Sequence, residues 1–352
     1  MSYTDIDDSS VHFQTAIWTG NGGSDRAIVN DGNSDMQPDW VWYKSRSHAT
    51  SNILYDSSRG ADYYLKSNTD GAEGSDANMF ESFDSDGFSL NADSDGNASG
   101  RTYVGWQWKA NGGTTSTNTD GDINSTVQVN SDAGFSIVTY NPSNTTTRNI
   151  GHGLGVKPDC IIIRNRTRVE SWRVWFNVIG QGAIMLNSTG TYTVNSNLVN
   201  SATTSTFNVG GDFSVNGNYP YVAYCFNNVQ GYSKFGKYVG NGASDAAPNT
   251  NGPFIYTGFS PALVIIKKTS AVDDWLIFDN KRAGYDPAVY RLYPNSSSAE
   301  TSGTNNTIQF TSNGFKIRFH GGSLNESGGD YIYMAFASSP FVSSKGIPTT
   351  AR

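Results

Sequence analysis

QPDWVWYKSR (37–46), KPDCIIIRNR (157–166) and SPALVIIKKT (260–269) carry the fold of this chain. Each sets a proline before an apolar, β-branched or aromatic run that ends in a basic residue. An aromatic stretch follows each: NILYD (52–56), WRVWF (172–176) and WLIFD (275–279). Further on come GFSL (87–90), GDF (211–213) and GFKI (314–317), then YVGWQW (103–108), YVAYCF (221–226) and YIYMAF (331–336). Pro38, Lys44, Asp56 and Arg59 map onto Pro261, Lys267, Asp279 and Arg282 at one constant spacing. Leu65, Asn68, Glu73, Phe83 and Phe88 map onto Leu292, Asn295, Glu300, Phe310 and Phe315 at another. The middle set aligns through Pro158, Arg164, Trp172 and Phe207 with Pro261, Lys267, Trp275 and Phe310. Collinear recurrence of this kind is the mark of a triplicated module, so most recurring residues are specified by fold and not by chemistry.

The pattern inside the repeats is that of strands. Cys160–Ile163 and Leu263–Ile266 are apolar throughout, as expected of a strand covered on both sides. In the closing strand Val104, Trp106 and Trp108 alternate with Tyr103, Gly105 and Gln107, the period of a packed sandwich. DSDGF (84–88) and TSNGF (311–315) are hairpin turns. Only DANMFESF (76–83) and DPAVYRL (286–292) have room for a turn or two of helix. The expected fold is all-β: three tandem antiparallel β-sandwich modules of jelly-roll or lectin-like type. Their boundaries are an N-terminal arm at 1–11, module 1 at 12–110, a polar linker at 111–134 and module 2 at 135–229. A connector at 230–236, module 3 at 237–343 and a tail at 344–352 complete the chain.

Composition narrows the partners. Of 352 residues, 36% are apolar and 16% charged, yet 13% are aromatic, which suits short aromatic strands joined by polar turns. A net charge of −7 argues against nucleic acid as a partner. No run of 18 apolar residues exists to insert into a membrane. The start, MSYTDIDDSS, lacks the basic and apolar regions of a secretory signal. Cys160 and Cys225 both fall in the middle repeat at apolar strand positions, which predicts free buried thiols.

Catalytic signals are absent. His12, His48, His152 and His320 occupy no repeated position and none neighbours a triad-like spacing. No phosphate loop, nucleophile elbow or zinc motif appears. Neither an enzyme activity nor a cofactor is expected. The Asp56/Arg59 and Asp279/Arg282 recurrence reads as an ion pair or turn lock, replaced in the middle copy by Phe176 and Ile179. Asp84–Gly87, Asp93–Asn97 and Asp120–Asp122 resemble calcium loops but lack the twelfth-position acid. Trp40, Trp42, Trp106 and Trp108 stand where other copies carry apolar residues and are assigned to core. Tyr63, Tyr64, Tyr219 and Tyr285 have no apolar counterpart and lie in loop-like segments, which makes them the candidate ligand-binding residues.

MSYTDIDD (1–8), TGNG (19–22), QPDWVW (37–42), QWKANGG (107–113), GHGLGVKPD (151–159) and YSKFGKYVGNG (232–242) together resemble a tandem module of marine tailed-bacteriophage structural proteins. That family is described as tail-fibre-like or concanavalin-like. The resemblance implies a virion structural protein, assembled in the host cytoplasm and displayed on the virion surface. Its partners would be other virion proteins and a host surface glycan or receptor, with a homo-oligomer, a trimer foremost, as the assembly. A capsid decoration or head-fibre protein is the alternative, and a polysaccharide depolymerase a third. The three copies could string end to end or close into a pseudo-threefold ring.

Overall fold

A computed structural model describes residues 4–243, 251–282, 288–303, 306–318 and 321–340. Strand makes up 44% of it and helix 2%. The segments with room for helix are otherwise: Phe80–Asp84 and Tyr290–Arg291 are strands. Asp286 and Pro287 lie outside the described residues.

Three large antiparallel sheets share one strand order. In the first, Phe13–Thr19, Thr102–Trp108, Trp40–Ser45 and Ile53–Asp56 lie side by side. In the second the same places belong to Phe135–Tyr140, Tyr221–Phe226, Cys160–Asn165 and Arg173–Phe176. In the third they belong to Ser233–Val239, Asp330–Pro340, Phe259–Lys268 and Trp275–Asp279. Register agrees residue by residue: Trp40 faces Trp108, Cys160 faces Phe226 and Leu263 faces Phe336. The Pro-Asp pair has a local task. The carboxylate of Asp39 accepts from the backbone N–H of Ala110, Gly112 and Gly113, which fixes how the chain leaves the closing strand.

A three-stranded sheet accompanies each large one. Gly87–Leu90, Thr206–Val209 and Gly314–Ile317 are the central strands. Phe88 pairs with Phe83, and Phe315 with Phe310; in the middle set Phe207 pairs with Ala202. Phe207 therefore corresponds to Phe88 and Phe315, and the alignment with Phe310 is corrected. GDF (211–213) is not the middle GF strand but the turn after it, where Val215 and Asn216 donate back to the Asp212 carbonyl. The first and third hairpins turn at a glycine; Gly87 has φ +99°, and a Cβ there would strike the Ile28 carbonyl. The middle hairpin uses no glycine. Thr203 Oγ1 accepts from the Thr206 N–H at 3.0 Å and closes the turn itself.

Alternation sends one face of each large sheet toward its small sheet and the other toward a common centre. Val41, Tyr43, Tyr55 and Tyr103 pack with Phe80 and Phe88; Val138, Ile161, Trp175 and Tyr221 pack with Phe207. The bulky faces go inward instead. Trp40, Trp42, Trp106 and Trp108 join Phe135, Tyr224 and Phe226, and Phe235, Met334 and Phe336, in one continuous cluster. Phe336 lies 5.4 Å from Trp108 and 5.7 Å from Phe226, and Trp40 stacks on Tyr224 at 4.3 Å. All four tryptophans are at most 1% exposed, so they do fill core. Each is worth about 4–5 kcal/mol of burial as an upper bound.

Hydrogen bonds link the sheet pairs in a cycle. Trp172 Nε1 of the second pair donates to the Lys66 carbonyl of the first, and Trp275 Nε1 of the third to Met185 of the second, both at 2.9 Å. Asn52, at the matching place in the first, donates through Nδ2 to Tyr293 of the third at 3.0 Å. The circle closes within one chain.

Several expected boundaries shift. The 111–134 segment is no free linker: Ser116–Asn118 and Ser125–Asn130 extend the second large sheet beyond Phe135–Tyr140. Val127 and Gln128 there are buried. The 1–11 arm is packed, with Ile6 in the central cluster and Ser9 Oγ donating to the Ser338 carbonyl. Within 230–236, Ser233 begins the opening strand of the third sheet. The 344–352 tail lies outside the described residues.

A shared core predicts a single cooperative transition for the whole chain. In urea, near-UV and far-UV circular dichroism should coincide, and Trp108→Ala should cost about 3–5 kcal/mol. Residues 12–110 expressed alone, with their tryptophan face uncovered, should bind ANS and show no cooperative transition. Cooperative folding of that fragment would contradict the shared core.

Candidate functional site

The recurring charged residues lie at the seams. Arg59 Nε bonds Asp56 Oδ2, its Nη2 donates to the Leu54 carbonyl, and its Nη1 reaches Glu73 Oε2 at 2.8 Å. Across the seam, Arg166 of the second pair grips Glu73 with Nε and Nη2 at 2.9 and 2.7 Å, and Tyr224 Oη donates to Asp56. The third pair repeats this: Arg282 binds Asp279 and Glu300, Arg46 of the first pair grips Glu300, and Trp106 Nε1 donates to Asp279. The Asp/Arg lock of the sequence is therefore buried and its bonds span sheet pairs, with partners that sequence order did not indicate.

At the remaining seam the whole set is exchanged. Phe176, Ile179 and Tyr192 replace the acid, arginine and glutamate, while Thr269 and Met334 replace the cross-seam arginine and donor. The backbone bond survives: Tyr192 N–H reaches the Thr269 carbonyl at 3.3 Å, as Glu73 reaches Arg166 at 2.7 Å and Glu300 reaches Arg46 at 2.8 Å.

The basic residues that end the proline strands also cross seams. Lys44 Nζ donates to the Ser297 carbonyl at 3.2 Å, Arg164 Nη2 to Asp70 at 2.6 Å, and Lys267 Nζ to Thr189 at 3.0 Å. Burial lowers both lysines to about 8 and Arg164 to about 10. Glu73 moves the other way from its burial: hydrogen bonds from Arg166 and the charge of Arg59 outweigh desolvation and hold it below 4.5.

Of the described histidines, His152 is buried and His12 is partly buried. Burial depresses His12 and His152, and the Leu154 N–H donates to His152 Nδ1 at 3.1 Å. His48 lies in an exposed loop, and His320 lies outside the described residues. Cys160 and Cys225 are unpaired and buried, which raises both thiols and leaves them inert. Among the described residues no three His, Cys, Asp or Glu side chains are grouped to hold a metal. A cleft of about 170 Å³ opens between the first and third sheet pairs, bordered by Gln14, Asp31, Asn280 and Lys281. The Gln14 amide is already bonded to Ser10, Gly32 and Ser34.

The candidate tyrosines separate. Tyr63 is 41% exposed at the rim of the first large sheet, while Tyr64 turns inward against Tyr55, with Lys66 over its ring. Tyr285 lies outside the described residues. Tyr219 forms part of a surface cluster on the second pair. Its ring stands edge-on to Phe213 at 6.1 Å, and the Arg168 guanidinium lies 4.6 Å from Phe213 and 5.1 Å from Tyr219. Arg168 Nη1 donates to Tyr219 Oη at 3.0 Å, and Nε lies 3.3 Å from Glu170. Phe213 is 43% exposed, yet its carbonyl accepts from Asn165 Nδ2 and Tyr221 Oη, both at 2.9 Å. Sequence reasoning missed Phe213 because GDF was read as strand, and missed Arg168 because a lone arginine in a loop carries no pattern.

A family model described as "Domain of unknown function (DUF7483)" matches residues 8–340, so the chain belongs to that family. No curated protein and no solved structure matches it.

Glu73→Gln and Glu300→Gln should each destabilise by about 2–4 kcal/mol, because each removes the charge partner of one buried arginine and of one partly exposed arginine. Tyr192→Phe should cost under about 1 kcal/mol. With its folded value lowered, Glu73 contributes stability above pH 4.5 that is lost as pH falls through 4.5 and below. The acid-side drop in melting temperature should therefore be shallower in Glu73→Gln. The lysines are lowered as well, so stability again rises with pH, here on the alkaline side. From pH 8 toward 10.5 the unfolded chain binds more protons, so wild type should gain stability relative to the Lys44→Met, Lys267→Met variant.

Proposed function

We propose that this member of the DUF7483 family is three copies of one β-sandwich module closed into a ring, and that it is a tailed-phage virion surface subunit which presents its outer loops to a host glycan or receptor. The common strand order and the cyclic hydrogen bonds support the ring. The phage part rests on the motifs that run from TGNG (19–22) to YSKFGKYVGNG (232–242). The observation that carries adhesion is the division of side chains. The recurring aromatic and charged residues are consumed by core and seams, while Phe213, Tyr219 and Arg168 stand at the surface. A rigid polar-turned β scaffold with variable outer loops suits recognition, and no group in the seams is placed to do chemistry on a substrate. The threefold packing that a homotrimer would supply is formed inside one chain.

Labelled full-length protein should bind cells of the phage host, and soluble host polysaccharide should compete. Labelling of intact particles should place the chain on a tail appendage. A high-copy lattice over the capsid, with no cell binding, would replace adhesion by decoration.

A further inference from the structure

We infer that the surface formed by Phe213, Tyr219, Arg168 and Glu170 binds a neutral saccharide, stacking one sugar face on Phe213 and holding adjacent hydroxyls with Arg168 and Glu170. The inference rests on the adhesion reading and supplies its ligand class. Phe213 offers an exposed ring on a backbone pinned by Asn165 and Tyr221, so no ordering is required before a flat apolar face can dock. The apolar C–H face of a pyranose is such a surface. Arg168 is committed on two sides, through Nη1 to Tyr219 Oη and through Nε to Glu170, and its Nη2 makes no hydrogen bond among the described residues. The Glu170 side chain is 20% exposed.

Charge selects among sugars. Arg173 and Asp212, 4.0 Å apart, adjoin the cluster, which pairs two cations with two carboxylates. An anionic sugar would meet Glu170 and Asp212, and a cationic one Arg168 and Arg173. A hydroxyl both donates and accepts, so a polyol uses guanidinium and carboxylate together. The places that correspond to Arg168 in the other pairs are His48 and Ala271, which confines this arrangement to the second pair.

The test is saturation-transfer NMR on the full chain with maltotriose, cellotriose and trigalacturonate, alongside Phe213→Ala and Arg168→Gln. Melting curves should match wild type, since both side chains lie outside the seams. At least one neutral trisaccharide should bind, about tenfold or more weakly in each variant. Affinity unchanged in both variants, preference for trigalacturonate, or no binding of either neutral sugar overturns the inference. Host-cell binding is scored separately. Adhesion without neutral-sugar binding leaves the adhesion reading standing and this site refuted; sugar binding without adhesion does the reverse.

Discussion

Lys44, Arg164 and Lys267 are fully buried, and each turns its charge onto a backbone carbonyl of the neighbouring sheet pair. A buried cation without partners is expensive. Each sheet pair therefore presents a cation that another pair helps to satisfy: the third serves the first, the first serves the second and the second serves the third. The apolar counterpart is the tryptophan face, which no pair covers by itself. Together these two demands tie each sheet pair to its neighbours through buried polar bonds and a shared aromatic cluster.

The seams show how such a network changes. Asp56, Arg59, Glu73, Arg166 and Tyr224 form one connected set, and Asp279, Arg282, Glu300, Arg46 and Trp106 form another. Loss of a single member would strand buried charge, and a half-satisfied network is worse than an apolar one. The third seam accordingly replaces every member together, with Phe176, Ile179, Tyr192, Thr269 and Met334. Only the backbone bond beneath persists, because it depends on strand geometry and not on side chains.

The recurring charged and aromatic residues thus lie in the core and the seams, away from the outer turns. Residues that repeat are enclosed, where packing holds them alike, while Phe213 lies exposed on an outer turn. The Phe213 cluster arises where the middle hairpin departs from its counterparts. The turn at Asp212 lifts one aromatic ring out of the sandwich and beside Arg168.

The alternation of Val104, Trp106 and Trp108 with smaller residues, the proline-led runs and the Asp-Gly and Asn-Gly turns determined the strands and the core membership of the tryptophans. Local chemistry dictates all of these, within a few residues of each other. GDF (211–213) reads as the middle hairpin because the actual turn uses the Thr203 hydroxyl in place of glycine, and 111–134 reads as a linker because a polar edge strand resembles one. Nor could spacing join Glu300 to Arg46, or Glu73 to Arg166. Period-2 patterning states which side chains share a face, but both faces here are apolar. Whether a face meets its own small sheet or the common centre is set only when three sheets close on one another and leave no other place for the tryptophans.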